Sequence, residues 1–306
     1  MVNAQVPQVT EADARLLVDS RCELGEGILW CDRRNVLYWT DILAARLWRY
    51  DPASGHSQYW QLHEPLGCLA LANDGRLLLG LANGLHAADP EAQLQDRELS
   101  LQLLAHVEAD NPNTRINDGR ADRHGNFVFG TKSDHADGRR GGSFYQWSAG
   151  KGLRRLPLPH VAIPNAICFS PDGERIYFCD SPQANIITGR YDPHSALVEE
   201  LQAFASLSEP GIEPDGAVVD VQGRVWNAQW GAGRVACYSA DGRIEQLVHI
   251  PTQHASCCVL APGALYISSA RVGLDAAALS AQPDAGGIFV WEHPQLKAGV
   301  DRVELP

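Results

Sequence analysis

Four side chains with oxygen donors recur at one position of a repeated sequence pattern. Counting back eight residues from each of six recurring turns lands at the start of the strand before that turn. In order, this position holds Glu26, Gly67, Asn117, Asn165, Asp215 and Ala255. Carboxylate and amide oxygens are ligands for Ca²⁺, Mg²⁺ or Mn²⁺, and they also bind Zn²⁺ or Fe²⁺. The register therefore predicts a divalent metal site, provided that the fold brings the six positions together.

A simpler account of these residues is local capping. Each oxygen would accept a hydrogen bond from a nearby backbone N–H at a strand entrance. That account suits a single polar residue better than four at one register. Two carboxylates that converge in an apolar channel also repel each other and lose hydration unless a cation lies between them. The metal ring is therefore the preferred interpretation.

The stretch around Asn117 carries further polar side chains. Residues two apart on a strand share a face, so Arg115 is expected to point the same way as Asn117. A guanidinium beside a metal would oppose the cation, so we expect Arg115 to bind substrate oxygens with its planar fork. Asp118, Arg120 and Asp122 are expected to hold the turn that follows.

The turns that set this register belong to a repeat. A turn followed by a strand recurs at residues 31–39, 72–80, 122–130, 170–178, 220–228 and 260–268. A second unit, interpreted as an outer hairpin, recurs at residues 45–55, 83–92, 141–152, 187–196, 233–243 and 286–294. The turn glycines at 75, 125, 173, 223 and 263 are separated by 50, 48, 50 and 40 residues. Several strands per repeat at such periods are typical of β-propeller blades.

We therefore predict an all-β fold, a six-bladed β-propeller with a central metal site. Residues 15–306 form the single propeller domain and residues 1–14 an N-terminal extension. The innermost strand of each blade lines the central channel, so the six register positions should form a ring at its mouth. The first strand, at residues 15–19, and the last, at 300–305, are expected to pair and close the ring.

Composition limits the classes of partner. The chain has 306 residues, 45% hydrophobic and 20% charged, and a formal net charge of −12. This charge argues against nucleic acid or an anionic membrane surface as a partner. No apolar run approaches the roughly 18 residues of a membrane span, and the N-terminus lacks a secretory pattern. The eight cysteines form no CxxC pair and are interpreted as buried thiols, so we expect a cytoplasmic protein.

Four motifs resemble those of a known family. They are LGEGILW (24–30), TRINDGRADRHGNFVFGT (114–131), PNAICFSPDGERIYFCDS (164–181) and PDGAVVDVQGRVWNAQW (214–230). Their sequence and order resemble the senescence marker protein-30/gluconolactonase family, which includes regucalcin and bacterial sugar lactonases. The resemblance covers most of the chain. It implies a six-bladed propeller that binds one divalent metal ion and hydrolyses sugar lactones to aldonic acids.

The resemblance also assigns roles to the ring residues. The three metal ligands of the family fall on Glu26, Asn165 and Asp215, and its substrate-binding residues fall on Arg115 and Asn117. We expect Asp215 to serve also as the general base, because a carboxylate at the edge of the metal can accept the proton of an attacking water.

One segment departs from the family pattern. Many relatives have a methionine after Gly-Thr and an acidic substrate contact shortly beyond it, whereas this chain reads GTKSDHADGRRGG. Lys132 takes the place of the methionine and is expected to recognise a hydroxyl or ring oxygen. Asp134 is the candidate acidic contact. Trp230 is a further candidate for stacking on a sugar, although a tryptophan in a strand is more often a core residue.

Three functions follow from these features. The first is a metal-dependent lactonase acting on an arabinono-, xylono-, galactono- or gluconolactone in sugar catabolism, as a monomer or small homo-oligomer. The second is a metal-dependent hydrolase of the phosphotriesterase type, which a dry aromatic channel would favour. The third is a calcium-binding regulatory protein without turnover. The polar pair Arg115 and Asn117 favours the sugar lactone as the small-molecule partner.

Overall fold

A computed structural model describes residues 9–135, 139–297 and 299–306. Residues 1–8 of the predicted extension lie outside the described residues. In chain order the strands are β1 (Thr10–Asp13), β2 (Arg15–Val18), β3 (Gly25–Cys31), β4 (Val36–Asp41), β5 (Arg46–Asp51), β6 (His56–Gln61), β7 (Leu66–Ala72), β8 (Leu77–Leu81), β9 (Gly84–Ala88), β10 (Gln102–His106), β11 (Thr114–Ala121), β12 (Phe127–Ser133), β13 (Phe144–Ser148), β14 (Gly152–Arg155), β15 (Pro164–Phe169), β16 (Arg175–Asp180), β17 (Asn185–Asp192), β18 (Leu197–Ser206), β19 (Glu213–Val219), β20 (Val225–Trp230), β21 (Arg234–Tyr238), β22 (Ile244–His249), β23 (Ala255–Ala261), β24 (Ala264–Ser269), β25 (Ile288–Glu292) and β26 (Arg302–Val303).

These strands form six sheets, and the predicted six-bladed all-β propeller is confirmed. Blades one to five are the successive groups β3–β6, β7–β10, β11–β14, β15–β18 and β19–β22, and blade six is β23–β25 completed by β2. Within each blade, consecutive strands pair antiparallel. The first strand of each group is its innermost strand. The strand β1, from the predicted extension, adds parallel to β22 at the outer edge of blade five.

The predicted closure of the ring is wrong. The first propeller strand, β2, pairs antiparallel with β25, so an N-terminal strand completes the last blade. The C-terminal strand β26 instead pairs parallel with the end of the innermost strand β7. Both termini therefore cover sheet edges, but each covers a different one. Strand patterning shows that an edge needs a partner, and it does not show which of two terminal strands reaches that edge.

In five blades a glycine forms the turn between the first two strands. The five glycines used to measure the repeat, at 75, 125, 173, 223 and 263, all have positive φ angles. Only glycine adopts this left-handed backbone without strain from a Cβ atom. In blade one the equivalent turn uses Asn35, at φ 53°, and asparagine tolerates this region better than most residues.

The hydrophobic core is divided among the blade interfaces. Six clusters of buried side chains each join two neighbouring blades, including the cluster that joins blade six to blade one. All eight cysteines are buried and unpaired within this core, as the sequence predicted. Burial of apolar surface between every pair of blades makes the ring a continuous scaffold for its central channel.

Helices are few and short. The described residues contain one α-helix, α1 (Ala276–Ala281), and two 3₁₀ turns at Pro90–Gln93 and Ser181–Gln183. No helix in this part of the chain has the length and apolarity needed to cross a membrane.

Candidate functional site

Every innermost strand carries a register shift at the predicted ring position. The pairing with the next strand slips between Glu26 and Leu29 in β3 and between Asn165 and Cys168 in β15. Equivalent slips occur in the other four innermost strands. A bulge bends a strand and redirects the side chains beside it. The repeated bulge therefore turns the ring residues toward the mouth of the channel.

Four of the six ring residues, Glu26, Asn117, Asn165 and Asp215, line a pocket with a volume of about 350 Å³. Its polar wall holds six of the predicted site residues: Glu26, Arg115, Asn117, Lys132, Asn165 and Asp215. Its apolar wall consists of Leu24, Ile42, Leu43, Ile163, Trp230 and Val272. The structure thus brings together six polar residues from four blades that are up to 189 positions apart in the chain.

Two carboxyl groups meet at the base of this pocket. Glu26 and Asp215 are 9% and 6% exposed, and both carboxyl groups line the pocket. Burial raises the pKa of both groups above the usual range, and their mutual repulsion raises that of Asp215 further. The Oδ1 atom of Asp215 is buried and has no hydrogen-bond partner among the described residues. Two buried, mutually repelling carboxyl groups and a carboxylate oxygen without a partner fit a site for a cation.

An amide completes the donor set. Asn165 is 6% exposed, and its Nδ2 atom donates to Ser181 Oγ at 2.9 Å. Its Oδ1 atom accepts from Nδ2 of Asn117 at 3.2 Å. The structure contains no group of three His, Cys, Asp or Glu side chains fit for a metal within the described ranges, so a site here requires the amide oxygen. Two carboxylates and one amide suit a hard divalent cation, and the residues present fit the implied metal.

Arg115 lies beside the amides. Its Nη1 atom donates to the Ile116 carbonyl at 2.9 Å and to Asn117 Oδ1 at 3.1 Å. Its side chain is only 11% exposed, and burial lowers the pKa of the guanidinium below its usual value. A fixed guanidinium at a pocket wall is well placed to donate to substrate oxygens.

Asp134 does not line the pocket. Its Oδ1 atom lies 3.1 Å from Lys132 Nζ, and its Oδ2 atom lies 4.0 Å from Arg115 Nε. The carboxylate therefore bridges the two cations from the outer side of the pocket wall. In this arrangement Asp134 pairs with Lys132 and Arg115, which line the pocket themselves.

The expectation that Asp118 and Arg120 hold a turn is wrong. Both line a narrow cavity of about 50 Å³ in the channel below the pocket. Asp118 accepts hydrogen bonds from the N–H groups of Gly119 and Ile167, at 2.8 and 3.1 Å, and burial raises its pKa. Arg120 Nε donates to the Ile167 carbonyl at 3.2 Å. The bulge after Ile116 turns this part of β11 into the channel.

Asp122 does hold the turn. Its carboxylate accepts from the N–H groups of His124 and Asn126 at 2.8 and 2.9 Å.

Two aspartates that the sequence did not single out position the strands of Glu26 and Asn165. Asp41 accepts from the N–H groups of Glu23 and Leu24 at 3.0 and 3.1 Å, directly before the strand of Glu26. Asp180 accepts from the N–H groups of Ala162 and Ile163 at 3.0 and 2.9 Å, directly before the strand of Asn165. Both residues end the second strand of their blade, in YWTD (38–41) and FCD (178–180), and that shared position was the signal available in the sequence.

Comparison with known proteins gives the same family as the motifs. The family model described as SMP-30/Gluconolactonase/LRE-like region matches residues 24–271. The L-arabinolactonase of Azospirillum brasilense is 45% identical over 280 residues, which cover 90% of this chain and 91% of that protein. The 6-deoxy-6-sulfogluconolactonase of Pseudomonas putida is 35% identical, over 87% of this chain and 90% of that protein.

A solved structure shows the same architecture. The calcium-binding protein regucalcin from Agrobacterium tumefaciens has a TM-score of 0.88 and 29% sequence identity to this chain. The match covers 97% of this chain and 99% of that one. The similarity therefore extends over the whole ring of blades.

Proposed function

The chain belongs to the SMP-30/gluconolactonase/LRE-like family, and we propose that it is a sugar lactonase that hydrolyses an aldonolactone with the help of one divalent metal ion. Lactonases at moderate identity over most of the chain support a hydrolase that acts on cyclic esters. The observation that supports the metal is the pair of buried carboxyl groups, Glu26 and Asp215, which line one pocket with the amide of Asn165.

The residues of the pocket have different roles in the proposed hydrolysis. Glu26, Asn165 and Asp215 would hold the ion, which supplies Lewis-acid polarisation of a carbonyl and a lowered pKa for a water molecule. Besides holding the ion, the carboxylate of Asp215 takes the proton of the attacking water. Arg115 and Asn117 orient the lactone through directional hydrogen bonds.

The substrate we propose is a neutral pentono- or hexonolactone, with L-arabinonolactone tested first. The support is the 45% identity to the Azospirillum brasilense enzyme. Lys132 donates to a sugar hydroxyl or to the ring oxygen, since its ammonium group lines the polar wall. The free, buried cysteines support a reducing compartment, and we propose that the protein acts in the cytoplasm.

The experiment is lactone hydrolysis by the metal-stripped protein with single divalent metals added back. The panel contains arabinono-, xylono-, galactono- and gluconolactone. Asp215→Asn should lower kcat by about a hundredfold or more, the usual effect of losing a general base. Asp241→Asn is the matched control, because Asp241 is an exposed partner of Arg243 in the same blade, and it should behave as wild type.

Each alternative has its own outcome. Metal binding without turnover of any lactone would contradict the proposal and favour a calcium-binding role like that named for the structural neighbour. Turnover of a phosphotriester in place of every lactone would favour the phosphotriesterase type.

A further inference from the structure

Ser181 lies between two of the proposed metal ligands and has no role in the function described above. It is 3% exposed and is the first residue of the 3₁₀ turn that follows β16. Its Oγ atom lies 2.9 Å from Nδ2 of Asn165 and 2.8 Å from the carbonyl oxygen of Pro214. Pro214 directly precedes Asp215, so one hydroxyl contacts the side chain of one ligand and the backbone next to another.

The chemistry of these groups fixes the direction of both hydrogen bonds. A carbonyl oxygen only accepts, so the single hydrogen of the Ser181 hydroxyl is donated to Pro214. The Oγ atom can then only accept from Asn165, and this requires the NH₂ group of the amide on that side. The Oδ1 atom of Asn165 must therefore face away from Ser181, toward the ring.

A second residue enforces the same orientation from the other side. Nδ2 of Asn117 donates to the Pro164 carbonyl at 3.1 Å and to Oδ1 of Asn165 at 3.2 Å. Because the Pro164 carbonyl only accepts, it fixes which end of the Asn117 amide is the NH₂ group. The Pro214 carbonyl fixes the direction of the Ser181 hydroxyl in the same way. Both amides are thus oriented by backbone oxygens that cannot change their role.

Related contacts recur around the ring. In four places the carbonyl just before a ring position accepts from a side chain of the preceding blade: Ser256 to Gly25, Thr40 to Leu66, Asn117 to Pro164, and Ser181 to Pro214. Ser181 differs from Ser256 and Thr40 because it also contacts the side chain of a proposed ligand. Its position therefore serves more than the joining of two blades.

We propose that Ser181 is a positioning residue that presents Oδ1 of Asn165 to the metal and couples this amide to the strand of Asp215. The inference rests on the proposed function, since it assumes that Asn165 is a ligand. Without the hydroxyl, only the 3.2 Å contact with Asn117 holds the amide, so it rotates more easily. Rotation turns the NH₂ group toward the cation, and the positive hydrogens and the cation repel each other. Loss of a group that orients a ligand typically lowers metal affinity by about 10- to 100-fold.

The test is isothermal titration of the metal-stripped, full-length protein with Ca²⁺, Mn²⁺ or Zn²⁺. Ser181→Ala should raise the Kd of the metal by about 10- to 100-fold. Ser20→Ala is the matched control, because Ser20 is a buried serine whose Oγ donates to the Gly286 carbonyl at 2.8 Å. Where Ser181→Ala does not fold, Ser181→Cys serves instead, since a thiol has similar size and is a poor hydrogen-bonding group.

A second variant of the protein distinguishes the orientation of the Asn165 amide from a general loosening of the metal site. Asn165→Asp places two equivalent oxygens at this position, so rotation of the side chain no longer removes the donor. In that background, Ser181→Ala should change the metal Kd by less than about threefold, far below its effect on the wild type. A purely structural role for Ser181 would give the same loss in both backgrounds.

The outcomes for the two proposals are distinct. If the wild type binds metal and hydrolyses lactones while Ser181→Ala binds as tightly as Ser20→Ala, the positioning role is overturned and the lactonase stands. An equal loss in both backgrounds also overturns it. If the wild type binds metal but turns over no lactone, the lactonase fails, and a weakened Ser181→Ala still supports the positioning role. A wild type that binds none of the metals overturns both.

Discussion

Trp230, in the pocket wall, stacks on His254 behind it, with ring centroids 4.0 Å apart and planes inclined by 14°. A backbone bridge between the same two residues holds them together across blades five and six. His254 is 7% exposed, and burial lowers the pKa of its imidazole, so the neutral ring packs against the indole near neutral pH. The sequence favoured a core role for Trp230, whereas the structure places it in the wall of the pocket.

Removal of this wall should weaken substrate binding. We expect Trp230→Ala to raise the KM for the preferred lactone by about threefold to tenfold, because an aromatic contact is worth about 0.5–1.5 kcal/mol. Trp230→Phe should keep most of the contact and raise KM less. Steady-state kinetics at saturating metal measures both variants. An unchanged KM in Trp230→Ala would show that the sugar does not lie against this residue.

Asp134 should affect substrate binding more than turnover. It contacts Lys132 and Arg115 behind the pocket wall, and it is 45% exposed, so solvent screens the pair. We expect Asp134→Asn to raise KM by up to about fivefold with little change in kcat. Asp74→Asn is the control, since Asp74 forms a comparable exposed pair with Arg76 at 2.7 Å. A fall in kcat at constant KM would instead assign Asp134 to the chemical step.

Gly67 explains why blade two contributes no ligand to the ring. A Cβ atom at this position would lie 2.4 Å from the Ile116 carbonyl oxygen, in the backbone of the next blade. We expect Gly67→Ala to lower the free energy of unfolding by about 1–3 kcal/mol through overpacking. Gly150→Ala, where nothing lies within 4 Å, should change it little. Chemical denaturation compares the two, and equal stabilities would contradict the close packing.

The stability of the metal-stripped protein should depend on pH. Burial raises the pKa of Glu26 above its ordinary value of 4.5, so the folded state binds more protons than the unfolded state above that pH. The contribution of Glu26 to the free energy of unfolding is therefore fully present below pH 4.5. It is lost as the pH rises through the pKa that Glu26 has in the folded state. We expect the Tm of the stripped protein to fall by a few degrees between pH 5 and neutrality.

Metal should remove this dependence, because the cation stabilises the ionised carboxylates. Glu26→Gln should also flatten the profile of the stripped protein, since it deletes the titrating group. Thermal unfolding across the pH series measures all three samples. A Tm that rises with pH in the stripped wild type would contradict the protonated carboxyl pair.

The order of the ring residues followed from the sequence alone. A propeller repeats one strand arrangement at nearly constant spacing, so residues at equal distances from the turn glycines lie at equal heights in the channel. Counting from the turns thus placed Glu26, Asn165 and Asp215 at one level without any knowledge of their contacts. The same local chemistry, glycine in left-handed turns and alternating apolar strands, determined the six blades.

Contacts between distant segments were decided only by the tertiary structure. The bulge that turns Asp118 and Arg120 into the channel depends on pairing between β11 and β12, which no residue pattern reports. The orientation of the Asn165 amide depends on Ser181 and Asn117, which come from two different blades. The partners of β2 and β26 likewise depend on where each chain end emerges. Sequence spacing gives only the position of a residue along the chain. The direction of a hydrogen bond and the partner of an edge strand are determined only when separate blades meet in space.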